Sequence, residues 1–208
     1  AYAPNNINEE CLWNIMKKLV IKDLLSLENY DLKRDKIKNK LFEHKKNRSI
    51  SIGNHILLLF EDYETIKYQV QEMLRIEKIF NKDEMQSEID AYSPLIPDGT
   101  NLKATMLIMY TDIDERRIML QKLHDIENKI WISINDGKKI YAVSDEDLER
   151  SNDNKTSAVH FLRFQLDEFS IKDFKKSYKV FLGSDHNNYE ELTEVSKESI
   201  DSFRKDLD

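Results

Sequence analysis

Apolar positions recur along the chain with two periods, near 3.6 and near 2, and their alternation predicts an α+β fold. Residues 21–29 read as a short helix. Asp31 then reads as the cap of a longer charged helix reaching about Asn47, with Leu32, Ile37, Leu41 and Phe42 as its apolar positions. Residues 49–60 read as extended and broken near Gly53-Asn54, with 56–60 a buried strand. Helices follow over about 62–80 and 83–92, then a turn-rich loop over 93–99. Residues 103–110 form a strand, and 112–127 a charged helix. Ile130, Ile132 and Ile134 alternate on one strand face, and Asn135-Asp136-Gly137-Lys138 predicts a hairpin into 139–143. Beyond a polar loop at 144–156, strands are expected at 157–166 and 178–182, and an amphipathic helix at about 196–207. Hairpin-linked strands with unequal helices imply a mostly antiparallel or mixed sheet with helices packed on one side.

Some polar residues interrupt this pattern. On a 100° wheel Ile66, Val70, Met73 and Phe80 make one stripe of the 62–80 helix, and Glu77 falls inside it. A carboxylate there needs a partner, since burying it alone costs several kcal/mol. It reads either as an ion pair near the helix end or as a site residue. The opposite face carries Tyr68, Gln71 and Arg75 beside Glu72, which is a solvated face or a docking face for a ligand or partner. In the next helix Glu88 borders the stripe of Met85, Ile89 and Tyr92. On the 157–166 strand His160 shares the apolar face with Leu162, Phe164 and Leu166. It reads as a hydrogen-bonded core histidine or as a metal ligand. Glu77, Glu88 and His160 together make a candidate iron, manganese or zinc site.

The loop before that strand is free of glycine and rich in donors and acceptors. Its Arg150, Asn152 and Lys155, with Arg163 on the strand, are candidates for holding an anionic or polar ligand. His44 and His124 lie in charged helices and are expected to face solvent, while His55 and His186 fall at strand ends or in loops.

Composition narrows the field. With 40% hydrophobic and 34% charged residues, the 208-residue chain is too apolar to be disordered, and nothing marks a boundary, so residues 16–208 are expected to form a single domain. A net charge of −7 argues against binding nucleic acid or anionic membranes through overall charge, and the run Lys45-Lys46-Asn47-Arg48 reads as a solvated helix end. No apolar run is long enough to span a bilayer. A single cysteine, Cys11, precludes an intrachain disulfide and fits a reducing cytoplasm. Residues 1–15 carry no pattern, Met16 reads like a translation start, and the segment is expected to be an extension or expression remnant. Four scattered glycines leave no phosphate-cradling loop, and His-Glu-x-x-His, Glu-x-x-His and Gly-x-Ser-x-Gly are all missing.

Three segments, 68–80, 88–99 and 145–164, stand in an order that resembles a bacterial family catalogued as a domain of unknown function (family 3501). The resemblance spans about Met16 to Tyr189, with Ser93, Met109 and Thr111 departing from its usual residues. Members of that family are often encoded beside rubrerythrin-like and iron–sulfur, heterodisulfide-reductase-like proteins. The resemblance therefore implies an accessory or interaction partner of redox or iron proteins, related to oxidative stress by association. The rival expectation is a metal-binding module or metal-dependent enzyme using buried carboxylates and a histidine. A small-anion sensor using Arg150, Lys155 and Arg163 is the third. Whether the chain is an enzyme, and its oligomeric state, are left open by the residues alone.

Overall fold

Ser26, not Asp31, opens the first long helix. Its hydroxyl accepts from the Asn29 amide, and α1 runs from Leu27 to Lys46. The computed structural model describes residues 18–152 and 154–208; the 1–15 segment and Cys11 lie outside the described residues. A 3₁₀ turn at Ile21–Asp23 stands where the short helix was expected. Asp62 caps α2 (Tyr63–Glu77), which ends at Lys78 in the left-handed region, and α3 (Lys82–Tyr92) follows from Asn81.

The expected break at Gly53-Asn54 is a hairpin between β1 (Ser49–Ile52) and β2 (Ile56–Glu61). The chain continues through β3 (Asn101–Ile108), α4 (Ile113–Lys122), β4 (Ile130–Ile134), β5 (Ile140–Tyr141), β6 (Val143–Ser144) and β7 (Val159–Gln165). It then runs through α5 (Glu168–Lys176), β8 (Val180–His186), β9 (Tyr189–Glu194) and α6 (Lys197–Phe203). The 112–127 helix stops early: α4 ends at Lys122, Asp125 turns left-handed at φ 71°, and a 3₁₀ turn carries Ile126–Asn128. Asn135 and Asp136, both with positive φ, make the tight turn of the β4–β5 hairpin, and the Gly137 amide donates to the Ile134 carbonyl. The sequence reading did not include α5 and β9.

Both sheets are antiparallel throughout. One has the order β1-β2-β3-β7-β6, the other β5-β4-β8-β9. Ala142 alone separates β5 from β6, so the chain crosses between sheets there. Their inner faces share one core: Ile56, Leu58 and Phe60 of β2, Leu102 and Met106 of β3, and Leu162 and Phe164 of β7 meet Ile130 and Ile132 of β4 and Leu182 of β8. Phe174 of α5 and Phe203 of α6 complete it. A second, smaller core joins Ile66, Val70 and Leu74 of α2 to Ile89 of α3 and Leu19.

Candidate metal centre

Strand β7 places His160 on the inner face of its sheet, opposite Met106 of β3 and fully buried. A buried imidazole needs partners for both nitrogens. Its Nδ1 lies 2.6 Å from Asp145 Oδ2, and its Nε2 lies 2.7 Å from the Thr156 hydroxyl and 3.0 Å from the Ser157 carbonyl.

Asp145 reaches this position by a local device. It follows directly on β6, its amide donates to the Phe161 carbonyl, and its Oδ1 accepts from the Phe161 amide at 2.9 Å. The carboxylate thus continues the β6–β7 ladder where the strand ends. Its φ of 49° is left-handed, a conformation that costs most side chains roughly 1–2 kcal/mol but that aspartate tolerates better. Arg150 braces the other side, with Nη1 3.2 Å from Asp145 Oδ1 and 2.6 Å from Asp147.

The third member is Glu127, on the 3₁₀ turn that Ile126 anchors in the core. It accepts from the Ser151 hydroxyl and, at 3.0 Å, from the Thr156 hydroxyl. Among the described residues, the basic nitrogen within ion-pair range of Glu127 is His160 Nε2, at 3.9 Å. One ligating atom each from Glu127, Asp145 and His160 lies within 4.8 Å of the others. Ions such as zinc or iron take nitrogen and carboxylate oxygen at about 2.0–2.2 Å, so donors about 3–3.5 Å apart suit them. The nearest pairs here, Nδ1 with Asp145 at 2.6 Å and Nε2 with Glu127 at 3.9 Å, use different ring nitrogens, so an ion shared by all three residues takes one nitrogen and draws in donors that spread over up to 4.8 Å. Electrostatics point the same way: the Arg150 guanidinium reaches Asp145 and Asp147 but not Glu127, whose side chain is only 7% exposed.

The carboxylates expected beside His160 are not there. Glu77 is exposed at the last residue of α2, and Glu88 is half-buried on α3 beside the second core. The wheel was misphased because it ran through to Phe80, which lies beyond the helix end and is exposed. The buried stripe is Ile66, Val70 and Leu74. Asp145, by contrast, heads the polar loop singled out in the sequence, but its aim at His160 depends on ladder pairing that spacing does not reveal.

The face at Tyr68, Gln71, Glu72 and Arg75 packs against α1. Gln71 is buried and clamps the Leu25 backbone, accepting from its amide at 2.9 Å and donating to its carbonyl at 3.0 Å. Glu72 accepts from Arg34 Nε and Nη2, from the Tyr30 hydroxyl at 2.6 Å and from Arg75 at 3.2 Å. These bonds, the Arg34 pair foremost, hold its carboxyl down at about 2. Arg163 pairs with Glu146, and that carboxylate pushes the guanidinium pKa further up. Asn152 builds a turn, its Oδ1 accepting from the Asn154 and Lys155 amides, while Lys155 is exposed. His44 does not simply face solvent: it is half-buried, with Nε2 2.6 Å from Asp62. His124 is exposed and bonds the Asn152 carbonyl; His186 is buried against the His124 carbonyl, and His55 stacks on Tyr110. The Lys45–Arg48 run is a solvated helix end only up to Asn47, because Arg48 is fully buried.

Comparison with known proteins places this arrangement in context. A family model described as protein of unknown function (DUF3501) matches residues 18–207. The chain is also similar to a crystal structure of a novel protein of unknown function from Burkholderia pseudomallei K96243, with a TM-score of 0.87 and 44% identity over 92% of this chain and 100% of that one. No curated protein matches. No helix among the described residues is long and apolar enough to cross a membrane.

Proposed function

The chain belongs to the family described as protein of unknown function (DUF3501), and we propose that it is a metal-binding module whose ion is held by Glu127, Asp145 and His160. The reading rests on one observation above the rest: two carboxylates whose side chains are each 7% exposed and a fully buried imidazole converge within 4.8 Å, and among the described residues Glu127 meets hydroxyl donors and a histidine nitrogen. A divalent cation supplies the charge that this carboxylate lacks. Two carboxylates and one imidazole make an oxygen-rich donor set, suited to iron, manganese or zinc. Thr156, between His160 and Glu127, is the hydroxyl an incoming ion would displace or recruit.

The family resemblance adds a cellular setting to this chemistry: a cytosolic accessory protein working beside redox or iron proteins. A module that holds iron or manganese suits such a neighbour.

Elemental analysis of tag-free protein, followed by titration with Fe²⁺, Mn²⁺ and Zn²⁺, tests the site. One equivalent is expected, with a metal-dependent rise in melting temperature. Glu127→Gln is expected to abolish both. Protein that carries no metal, binds none on addition and melts at an unchanged temperature would reduce the cluster to a structural hydrogen-bond network. Co-purification at native expression levels tests the setting separately, and recovery of neither iron nor flavin proteins counts against it.

A further inference from the structure

Helices α1 and α2 are bolted together at two places. At one end Glu72 gathers Tyr30 and Arg34, with Gln71 clamping Leu25 beside it. At the other, His44 of α1 meets Asp62 at the cap of α2. Between the bolts the helices do not close, and a cleft of about 270 Å³ opens. An apolar cavity of about 150 Å³ holds benzene, so this one takes a ligand of roughly ten non-hydrogen atoms.

The cleft has two chemistries. Leu25, Ile37 and Leu41 give it an apolar wall, closed by the rings of Tyr30 and Tyr68. Lys40 and Lys67 stand at its rim. Neither ammonium has a carboxylate within ion-pair distance among the described residues. Lys67 lies 6.0 Å over the Tyr63 ring, and a third lysine, Lys45, lies 5.8 Å over the Tyr68 ring. The other ionisable groups of the lining are Glu64, exposed on α2, and His44, already engaged with Asp62. A site with an apolar wall and a net cationic rim selects against amines and neutral apolar molecules.

We propose that this cleft binds a small carboxylate carrying an aliphatic or aromatic body, with Lys40 and Lys67 on the carboxylate and Leu25, Ile37 and Leu41 against the body. The site is separate from the metal cluster and does not depend on it.

Octanoate is the probe, with octylamine and octanol of the same chain length as controls, each followed by amide chemical shifts in metal-free protein. Saturable shifts confined to α1 and α2 are expected for octanoate, with at least about tenfold weaker binding for each control. In Lys40→Glu/Lys67→Glu, octanoate should lose at least about tenfold in affinity. Both lysines are on the helix surface, and an unchanged spectrum away from the cleft verifies the fold. Octanol binding as well as octanoate, octylamine binding better, or octanoate leaving the α1–α2 amides unmoved at millimolar concentration would each overturn the proposal.

Discussion

Two buried charge networks in this protein solve the same electrostatic problem in opposite ways. Arg48 is fully buried, yet its donors are all spent: Nε donates to the Phe60 carbonyl, Nη1 to the Ser202 carbonyl and hydroxyl, and Nη2 to the Glu61 carbonyl and Asp206. Carbonyl dipoles, the Asp206 carboxylate and, 3.5 Å from Nε, the Asp62 carboxylate complete it, and it staples the 3₁₀ turn at Arg204–Asp206 onto β2. The His160 cluster also sets two carboxylates beside one guanidinium, but there the guanidinium reaches Asp145 and not Glu127, which among the described residues meets two hydroxyls and, at 3.9 Å, a histidine nitrogen. A saturated network stabilises a fold. One whose guanidinium misses a carboxylate leaves room for a cation, which is why the second, and not the first, is the candidate site.

The largest expected effect comes from breaking the saturated network. Arg48→Met leaves Asp206 buried without its partner and should cost on the order of 3–5 kcal/mol by urea unfolding. Adding Asp206→Asn should recover part of that loss. If Arg48→Met costs less than about 1 kcal/mol, the network is not the staple described.

The next effect is a pH dependence. Burial raises the Asp206 carboxyl to about 6, against the attraction of Arg48. The folded chain therefore holds a proton that the unfolded chain releases nearer 4. This contribution is fully present below about pH 4 and is lost as pH rises through about 6, on the order of 2–3 kcal/mol in total. Glu72 acts with the opposite sign and at lower pH, since its carboxyl is held at about 2 and its contribution disappears only on strong acidification. Unfolding free energies between pH 4 and 7 should show the decline in the parent protein and a flatter profile in Asp206→Asn. Equal slopes in the two would contradict it.

At the cluster, Glu127→Gln should cost the metal-free protein no more than about 1–2 kcal/mol, since the amide oxygen still accepts from one of the Ser151 and Thr156 hydroxyls and its NH2 can donate to the other. Its effect should appear in metal binding instead. A loss as large as that of Arg48→Met would mean that the two networks are alike. The smallest change is expected at Glu77→Gln, within about 0.5 kcal/mol and with metal binding unaltered, because the side chain is exposed. A lost metal equivalent in that variant would return Glu77 to the site.

Local signals carried much of the fold. The break at Gly53-Asn54, the tight turn at Asn135-Asp136-Gly137 and the apolar periodicity over 62–80 and 83–92 are short-range chemistry, and the elements they mark stand within a few residues of expectation. Alternation along β7 placed His160 on the buried face for the same reason, because side-chain direction has a period of two in any strand. Three decisions lay beyond that range. The helical wheel gave Glu77 to the core because it could not know that α2 stops at Lys78. Arg48 looked like one more solvated cation, since the carbonyls and carboxylate that satisfy it come from β2 and from residues some 150 positions away. The partners of His160 come from the turn after α4 and from the end of β6, brought together by ladder pairing and by the crossing between sheets at Ala142. The sequence by itself determined most of the elements, α5 and β9 excepted, and which way the side chains of a strand such as β7 alternate, because those follow from backbone periodicity. Only the tertiary structure decided which carboxylates meet the histidine, because a buried charge takes its partners from wherever the packed chain brings them.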